Sequence, residues 1–177
     1  MTWGASVARC HGHYNPPMPA ISLLPLLAIA ALLALLGAGA MLIAGLGTPQ
    51  LAAHLAFALG VLPLILAAMT YFVPVLTRSG ATGLAAAWPP LLAWTGGVLA
   101  VFAFATDFSP ISLGLAAALG ALAALALGGW TLDRARRMFG PRHRGLDWYL
   151  AALGFLFLAL LAGVLMPWFS AQRSGLR

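Results

Sequence analysis

The sequence contains very little charge. Only 7% of its 177 residues are charged, and these are nine arginines and three aspartates, with no lysine and no glutamate. A soluble domain carries about 25% charged residues. Too little charge is present here to cover a surface that faces water, which excludes soluble globular and disordered proteins. In so apolar a chain, the net charge of +6 indicates membrane orientation rather than nucleic-acid binding.

Cysteine and carboxylates are also scarce. The single cysteine, Cys10, excludes an internal disulfide framework, the attachment motif of c-type haem and a Cys-rich metal cluster. The acidic residues Asp107 and Asp133 lie outside the long apolar runs and Asp147 lies at the edge of one, whereas proton pumps and ion-coupled transporters usually keep acidic groups within the membrane. No nucleophile-elbow, phosphate-loop or HExxH motif is present. The sequence therefore argues against a pump, and whether the protein is an enzyme stays open.

Long apolar runs dominate the chain, which is 63% hydrophobic with a mean hydropathy of +1.00. A membrane-spanning helix needs about 20 mostly apolar residues, and five stretches meet this requirement. We therefore predict an all-α, polytopic bundle of five transmembrane helices. The predicted spans are 21–46, 51–77, 85–106, 110–131 and 147–169, between a polar N-terminal segment, 1–20, and a short tail, 170–177. Ser109 is a candidate cap for the start of the fourth span.

Arginine placement predicts the orientation of these spans. Five of the nine arginines lie between the fourth and fifth spans, and Arg78 and Arg9 fall on the same side of the predicted topology. Positively charged loops remain in the cytoplasm. We therefore expect a cytoplasmic N-terminus, with the lipid bilayer as the surrounding partner and no nucleic acid bound.

His54 is the main candidate for chemistry, because it is the only histidine within an apolar span. An imidazole at that depth is costly unless it is paired, so an intramembrane histidine suggests a functional site. Neutral imidazole binds haem iron and copper, and Phe57, Ala58 and Val61 would form an apolar wall one turn further on. The alternative is that His54 forms a hydrogen bond to a neighbouring helix or reaches the lipid headgroups.

Two other features are weaker candidates. Pro63 and Pro74 interrupt the second span, and the α-helical pattern predicts that Pro63 leaves the carbonyl of Leu59 unpaired. Such a kink either only adjusts how the helix packs or shapes a ligand pocket. The segment Cys10-His11-Gly12-His13 could bind a soft metal, but it lacks a fourth ligand.

The second span reads HLAFALGVLPLILAAMTYFVPVLTRSG from His54 to Gly80. With His54 near the outer face, Thr70 along the span and Pro74 near its inner end, it resembles the corresponding helix of the NnrS family and of other relatives of haem-copper oxidase subunit I. Those proteins also begin inside and place a histidine near the outer end of their second helix. One departure is Leu55, because the NnrS motif usually has an acidic residue there.

This resemblance implies a haem-binding, or copper-binding, protein of the bacterial cytoplasmic (inner) membrane. It implies that His54 is the metal ligand, that Phe57 and Val61 pack on the cofactor, and that Tyr71 lies deeper towards the cytoplasm. The relatives have about twelve helices, and their other ligands come from helices beyond the fifth. We therefore expect a homo-oligomer or a partner membrane subunit. The alternative function is a non-catalytic membrane subunit or helix-packing module without a cofactor.

Overall fold

The computed structural model describes residues 19–79, 86–106, 109–138 and 143–174, with side chains described from residue 23 to residue 165. These residues form five long helices and no strand, which confirms the predicted all-α fold. Each helix is long and apolar enough to cross a membrane, so the chain has the architecture of an integral membrane protein. The helices are α1 (Pro19–Ala44), α2 (Pro49–Thr77), α3 (Trp88–Ala105), α4 (Pro110–Arg136) and α5 (Arg144–Ser174).

Local capping chemistry sets the ends of the helices. Thr48 accepts a hydrogen bond from the backbone N–H of Leu51 at 3.2 Å, and Pro49 occupies the first turn of α2. Ser109 caps α4 in the same way, as the sequence predicts, by accepting from the N–H of Ser112. Proline at the start of a helix removes only an N–H that would lack an intrahelical partner. These signals explain why four of the helices begin at or next to a proline.

The helices around the arginine-rich segment are longer than predicted. The fourth span was expected to end at residue 131, but α4 continues to Arg136, and α5 begins at Arg144 rather than at 147. Asp133 forms an ion pair with Arg137 at 3.0 Å, one turn apart. Cations in a last turn also interact favourably with the helix dipole. Polar composition therefore marks the membrane surface here, and the helix continues beyond it.

Small residues form the interior of the bundle, and large apolar residues cover its outside. Lipid tails are as apolar as leucine, so membrane helices gain stability from close packing, which small side chains permit. Ala56 and Gly60 of α2 are both buried, and a Cβ at Gly60 would lie 3.2 Å from the Cβ of Ala34 in α1. The similar pair Gly114 and Ala118 does not mark an interface, because Gly114 has open space beside it and Ala118 is exposed.

The order of the helices leaves a space on one side of α2. α2 packs against α1 and α3, α3 packs on α4, and α4 packs on α5. The main contacts of α5 with α2 are confined to the segment Leu62–Thr77. Because α5 runs antiparallel to α2, the first half of α2 and the second half of α5 stand apart. A cavity lies between them.

Candidate functional site

The first half of α2 contains a π-helical segment, Leu55–Val61. The N–H of Leu62 bonds to the carbonyl of Phe57, five residues back. Pro63 supplies the physical reason, because a proline has no N–H and its ring clashes with the carbonyl four residues earlier in an α-helix. The sequence predicted that Leu59 loses its partner. In the π-helical register, the carbonyl that lacks an N–H partner at Pro63 is that of Ala58 instead. Single π-helical turns inside α-helices occur frequently at functional sites.

His54 is the last residue before the π-helical segment, and two contacts orient its ring. Its Nδ1 lies 2.8 Å from the backbone carbonyl oxygen of Gln50. A carbonyl can only accept, so Nδ1 carries the hydrogen and Nε2 of the neutral ring keeps its lone pair. The ring stacks on Phe104 of α3, with centroids 4.2 Å apart and planes inclined by 29°. The imidazole is therefore held in one tautomer and one orientation.

The cavity beside His54 has a volume of about 630 Å³ and is bounded by α2, α3, α4 and α5. His54 is its one polar lining side chain among the described residues, and Phe57 and Phe104 are its aromatic ones. Alanine, glycine and leucine supply the remainder. An apolar cavity of this size with one oriented nitrogen is suited to a largely apolar ligand that carries a single Lewis-acidic or hydrogen-donating centre.

The structure brings together only part of the predicted site. Phe57 lines the cavity with His54, whereas Val61 does not. Bonds between residues five apart turn the chain less per residue than those of an α-helix, so seven residues no longer return Val61 to the face of His54. Tyr71 lies away from the cavity on the outside of the bundle, 55% exposed, with its ring edge against Phe72.

The other residues of interest are Cys10, the remaining histidines and Phe104. Cys10, His11 and His13 lie outside the described residues. His143 accepts a hydrogen bond from the N–H of Gly145 at 3.1 Å, which gives it a capping role at the start of α5. Sequence reasoning missed Phe104, which belongs to a different span and is near His54 only in three dimensions.

The donor set limits which metals this part of the chain can hold. No group of three His, Cys, Asp or Glu side chains comes together among the described residues. A copper centre built from several such ligands is therefore not assembled by residues 19–79, 86–106, 109–138 and 143–174. A haem iron needs only one protein nitrogen on one face, and His54 provides one.

A second polar cluster lies at the opposite end of α2 and has a structural role. The guanidinium of Arg134 donates to Ser79 Oγ and lies 4.7 Å from the centre of the Trp130 ring. Thr77 Oγ1 is 2.7 Å from the same serine oxygen. These contacts join the end of α2 to the last turns of α4, away from the cavity.

Fold and site together define a polytopic α-helical membrane protein with a cavity whose polar lining group is an oriented imidazole. No family model matches the chain, and neither a curated protein nor a solved structure matches it. The resemblance to the NnrS family therefore stays a hypothesis based on the residues of α2 alone.

Proposed function

We propose that this membrane protein binds haem in the cavity, where Nε2 of His54 would hold the iron. The proposal rests on one observation, which is how the two ring nitrogens of His54 are hydrogen-bonded. Nδ1 donates to the Gln50 carbonyl, and Nε2 keeps its lone pair on a ring that lines the cavity. Metal-bound histidines almost always donate their other N–H to an oxygen in this way.

The dimensions and polarity of the cavity support a haem. Its 630 Å³ falls within the roughly 300–1,000 Å³ that is usual for small-molecule and cofactor sites. The apolar walls suit a porphyrin ring. His54 lies five residues after Pro49, or about 7 Å along the helix axis, so the haem carboxylates could reach the membrane surface. A bound haem would supply a redox-active iron, and the chain's own residues would orient the imidazole that holds it.

Copper is supported less well than haem. A copper ion held by His54 would need further nitrogen or sulfur ligands, and the described residues assemble no such group. Haem is therefore the cofactor that we propose.

The number of axial ligands bears on assembly. His54 would supply a single protein ligand to a haem iron, and the proteins that α2 resembles take further ligands from later helices. We therefore propose that the chain acts as a homo-oligomer or with a partner membrane subunit. Size analysis by light scattering in mild detergent should show a species larger than one chain. A strictly monomeric, partner-free protein that binds haem fully would overturn this part of the proposal.

The positions of the arginines support an orientation of the protein in the membrane. Five arginine side chains lie at one end of the bundle, at the end of α2, the end of α4 and the start of α5: Arg78, Arg134, Arg136, Arg137 and Arg144. Positive charge at one membrane face is typical of the cytoplasmic side. We propose the cytoplasmic membrane of a bacterium, with the N-terminus inside.

The test is haem binding by purified protein. The wild-type protein, expressed with added haem precursor and purified in mild detergent, should show a Soret band and a stoichiometric haem content. His54→Ala should lose both, and added imidazole should restore them if the lost group is a ligand. His143→Ala is the matched control and should bind as the wild type does, because His143 lies outside the cavity.

Two results would overturn the proposal. One is a wild-type protein that holds no haem when haem is supplied. The other is a His54→Ala variant that retains its full haem content. Either result would favour the alternative, a non-catalytic membrane subunit or helix-packing module in which the His54–Gln50 and His54–Phe104 contacts serve only to stabilise α2.

A further inference from the structure

The π-helical segment gives the carbonyl of Ala58 an unusual environment. The Leu62 N–H bonds to the Phe57 carbonyl, so in the same register the N–H of residue 63 would bond to the Ala58 carbonyl. Residue 63 is a proline, which has no N–H. Backbone carbonyls inside a membrane protein need a compensating contact, because no water or lipid group in the hydrocarbon region supplies one.

Gly97 of α3 lies directly against this carbonyl. A Cβ placed on Gly97 would be 2.7 Å from the Cα of Leu59 and closer still to the oxygen of Ala58. Cβ atoms essentially never approach backbone atoms to within 3.0 Å, so no other residue fits without moving α2 or α3. The contact joins backbone to backbone, which permits a weak Cα–H···O interaction.

The π-helical segment is held from two sides. On the α1 side, a Cβ on Gly60 would lie 3.3 Å from the carbonyl oxygen of Ala31. On the α3 side, the Gly97 contact lies two helical turns from Phe104, on which the His54 ring stacks. Two points of the α2–α3 interface are thereby set, one under the π-helical segment and one under the imidazole.

We propose that Gly97 is the positioning residue of the site. Its missing side chain lets the Ala58 backbone rest on α3, and this contact sets the rotation of the π-helical segment that presents His54 and Phe57 to the cavity. The inference about haem ligation rests on the proposed function, whereas the geometric coupling of Gly97 to α2 does not.

The first test is Gly97→Ala. Forcing α2 away from α3 should weaken haem binding by about tenfold or more and change the Soret spectrum of the remaining haem, because the imidazole is misaligned. Gly154→Ala is the matched control. Gly154 is exposed on α5 and lies outside the cavity wall, and a Cβ there would meet nothing within 4 Å, so binding and spectrum should equal those of the wild type.

A second control separates positioning from loss of stability. Gly96 is the neighbour of Gly97, and its Cβ would lie 2.8 Å from the carbonyl oxygen of Ala116 in α4. Gly96→Ala should therefore destabilise the bundle without turning the imidazole. If Gly96→Ala and Gly97→Ala give the same Soret spectrum and the same loss of binding at equal thermal stability, the positioning role is wrong.

Rescue tests the cause. Pro63→Ala restores the missing N–H, so the segment can return towards the α-helical register and withdraw the Ala58 carbonyl. The double variant Pro63→Ala with Gly97→Ala should bind haem more tightly and unfold at a higher temperature than Gly97→Ala alone. Strictly additive effects in both measurements would overturn the proposal, since non-additivity is the signature of residues in contact.

The inference can be decided even if the wild-type protein binds no haem. In a chain with Cys10→Ser and His54→Cys, the rate of reaction with a small apolar thiol reagent reports how position 54 faces the cavity. Gly97→Ala should change this rate several-fold, and Gly154→Ala, outside the cavity, should leave it unchanged. A rate that Gly97→Ala does not alter would contradict the inference, whereas a changed rate without haem binding would contradict only the proposed function.

Discussion

At the scale of single residues, hydroxyl groups inside the apolar helices are mostly satisfied by their own helix. Thr70 Oγ1 donates to the carbonyl of Ala67 at 2.7 Å, and Thr77 Oγ1 donates to that of Val73 at 2.8 Å. Such bonds need neither a group from another helix nor a water molecule. His54 follows the same rule through Gln50, but its second nitrogen is left with a lone pair. The imidazole differs from the threonines in this respect.

Thr131 is the exception among the buried threonines, and it supports a prediction about stability. Its side chain is fully buried, and Oγ1 has no hydrogen-bond partner among the described residues. Thr131→Val removes an unsatisfied polar group at nearly constant shape, so it should raise the free energy of unfolding by up to about 1 kcal/mol. Denaturation in detergent measures this change.

The control for that prediction is Thr77→Val. Thr77 Oγ1 bonds to the Val73 carbonyl and lies against Ser79 Oγ, so its loss should lower the free energy of unfolding by about 1 kcal/mol. If both variants destabilise the protein equally, then Thr131 Oγ1 is hydrogen-bonded in the native protein.

At the scale of elements, the site depends on the region where α2 and α5 do not pack against each other. α5 packs on α4 but has its main contacts with α2 only in the segment Leu62–Thr77. Its second half therefore forms a wall of the cavity through Leu156, Ala159, Leu160 and Gly163. Small residues at two of these positions keep the space open.

Filling the cavity from α5 should block the site. Gly163 lines the cavity with nothing within 4 Å of a Cβ, so the side chain in Gly163→Leu can enter the space. Leucine is also a better helix former than glycine, so α5 should persist. Haem content should fall at least about tenfold, a free-energy cost of about 1.4 kcal/mol or more, as measured by absorbance of the purified variant.

A matched variant on the same helix controls for the substitution itself. Gly154 also has nothing within 4 Å of a Cβ, but it is exposed and is not part of the cavity wall. Gly154→Leu should therefore bind haem as the wild type does. Equal haem content in both leucine variants would mean that the ligand does not occupy this space.

At the scale of the whole molecule, the surface is almost entirely apolar along the helices. Large exposed side chains such as Leu36, Ile43 and Phe155 cover the outside of the bundle, as is suitable for contact with lipid. Charge is confined to one end among the described side chains, where Arg134 joins α4 to the end of α2. The position of this end predicts the orientation in the membrane.

Cysteine labelling checks that orientation. In a chain with Cys10→Ser, cysteines placed at Ser79 or Gly140 should be protected from an impermeant thiol reagent applied outside intact cells, and both should react after the membrane is opened. A cysteine at Ser109 should react from outside. The reverse pattern would place the arginine-rich end outside and show that the topology is wrong.

Much of the fold was readable from the sequence because membrane insertion depends on local composition. Runs of about 20 apolar residues predicted the five helices, and Ser109 predicted the cap of α4, since both signals act within one segment. The helix ends near Arg134 and Arg144 were less accurate, because the change in polarity marks the membrane surface rather than the end of hydrogen bonding.

The site itself was only half readable. His54 stood out in the sequence because an imidazole in an apolar run is costly wherever the other helices lie. Its surroundings depended on tertiary structure. Pro63 predicts a disturbance of the helix, but the π-helical register, which turns Val61 away, is seen only in the three-dimensional structure, where the segment lies close to Gly97 and Ala31. Phe104 and the α5 wall reach the cavity from distant segments, and such proximity is set only when the helices pack.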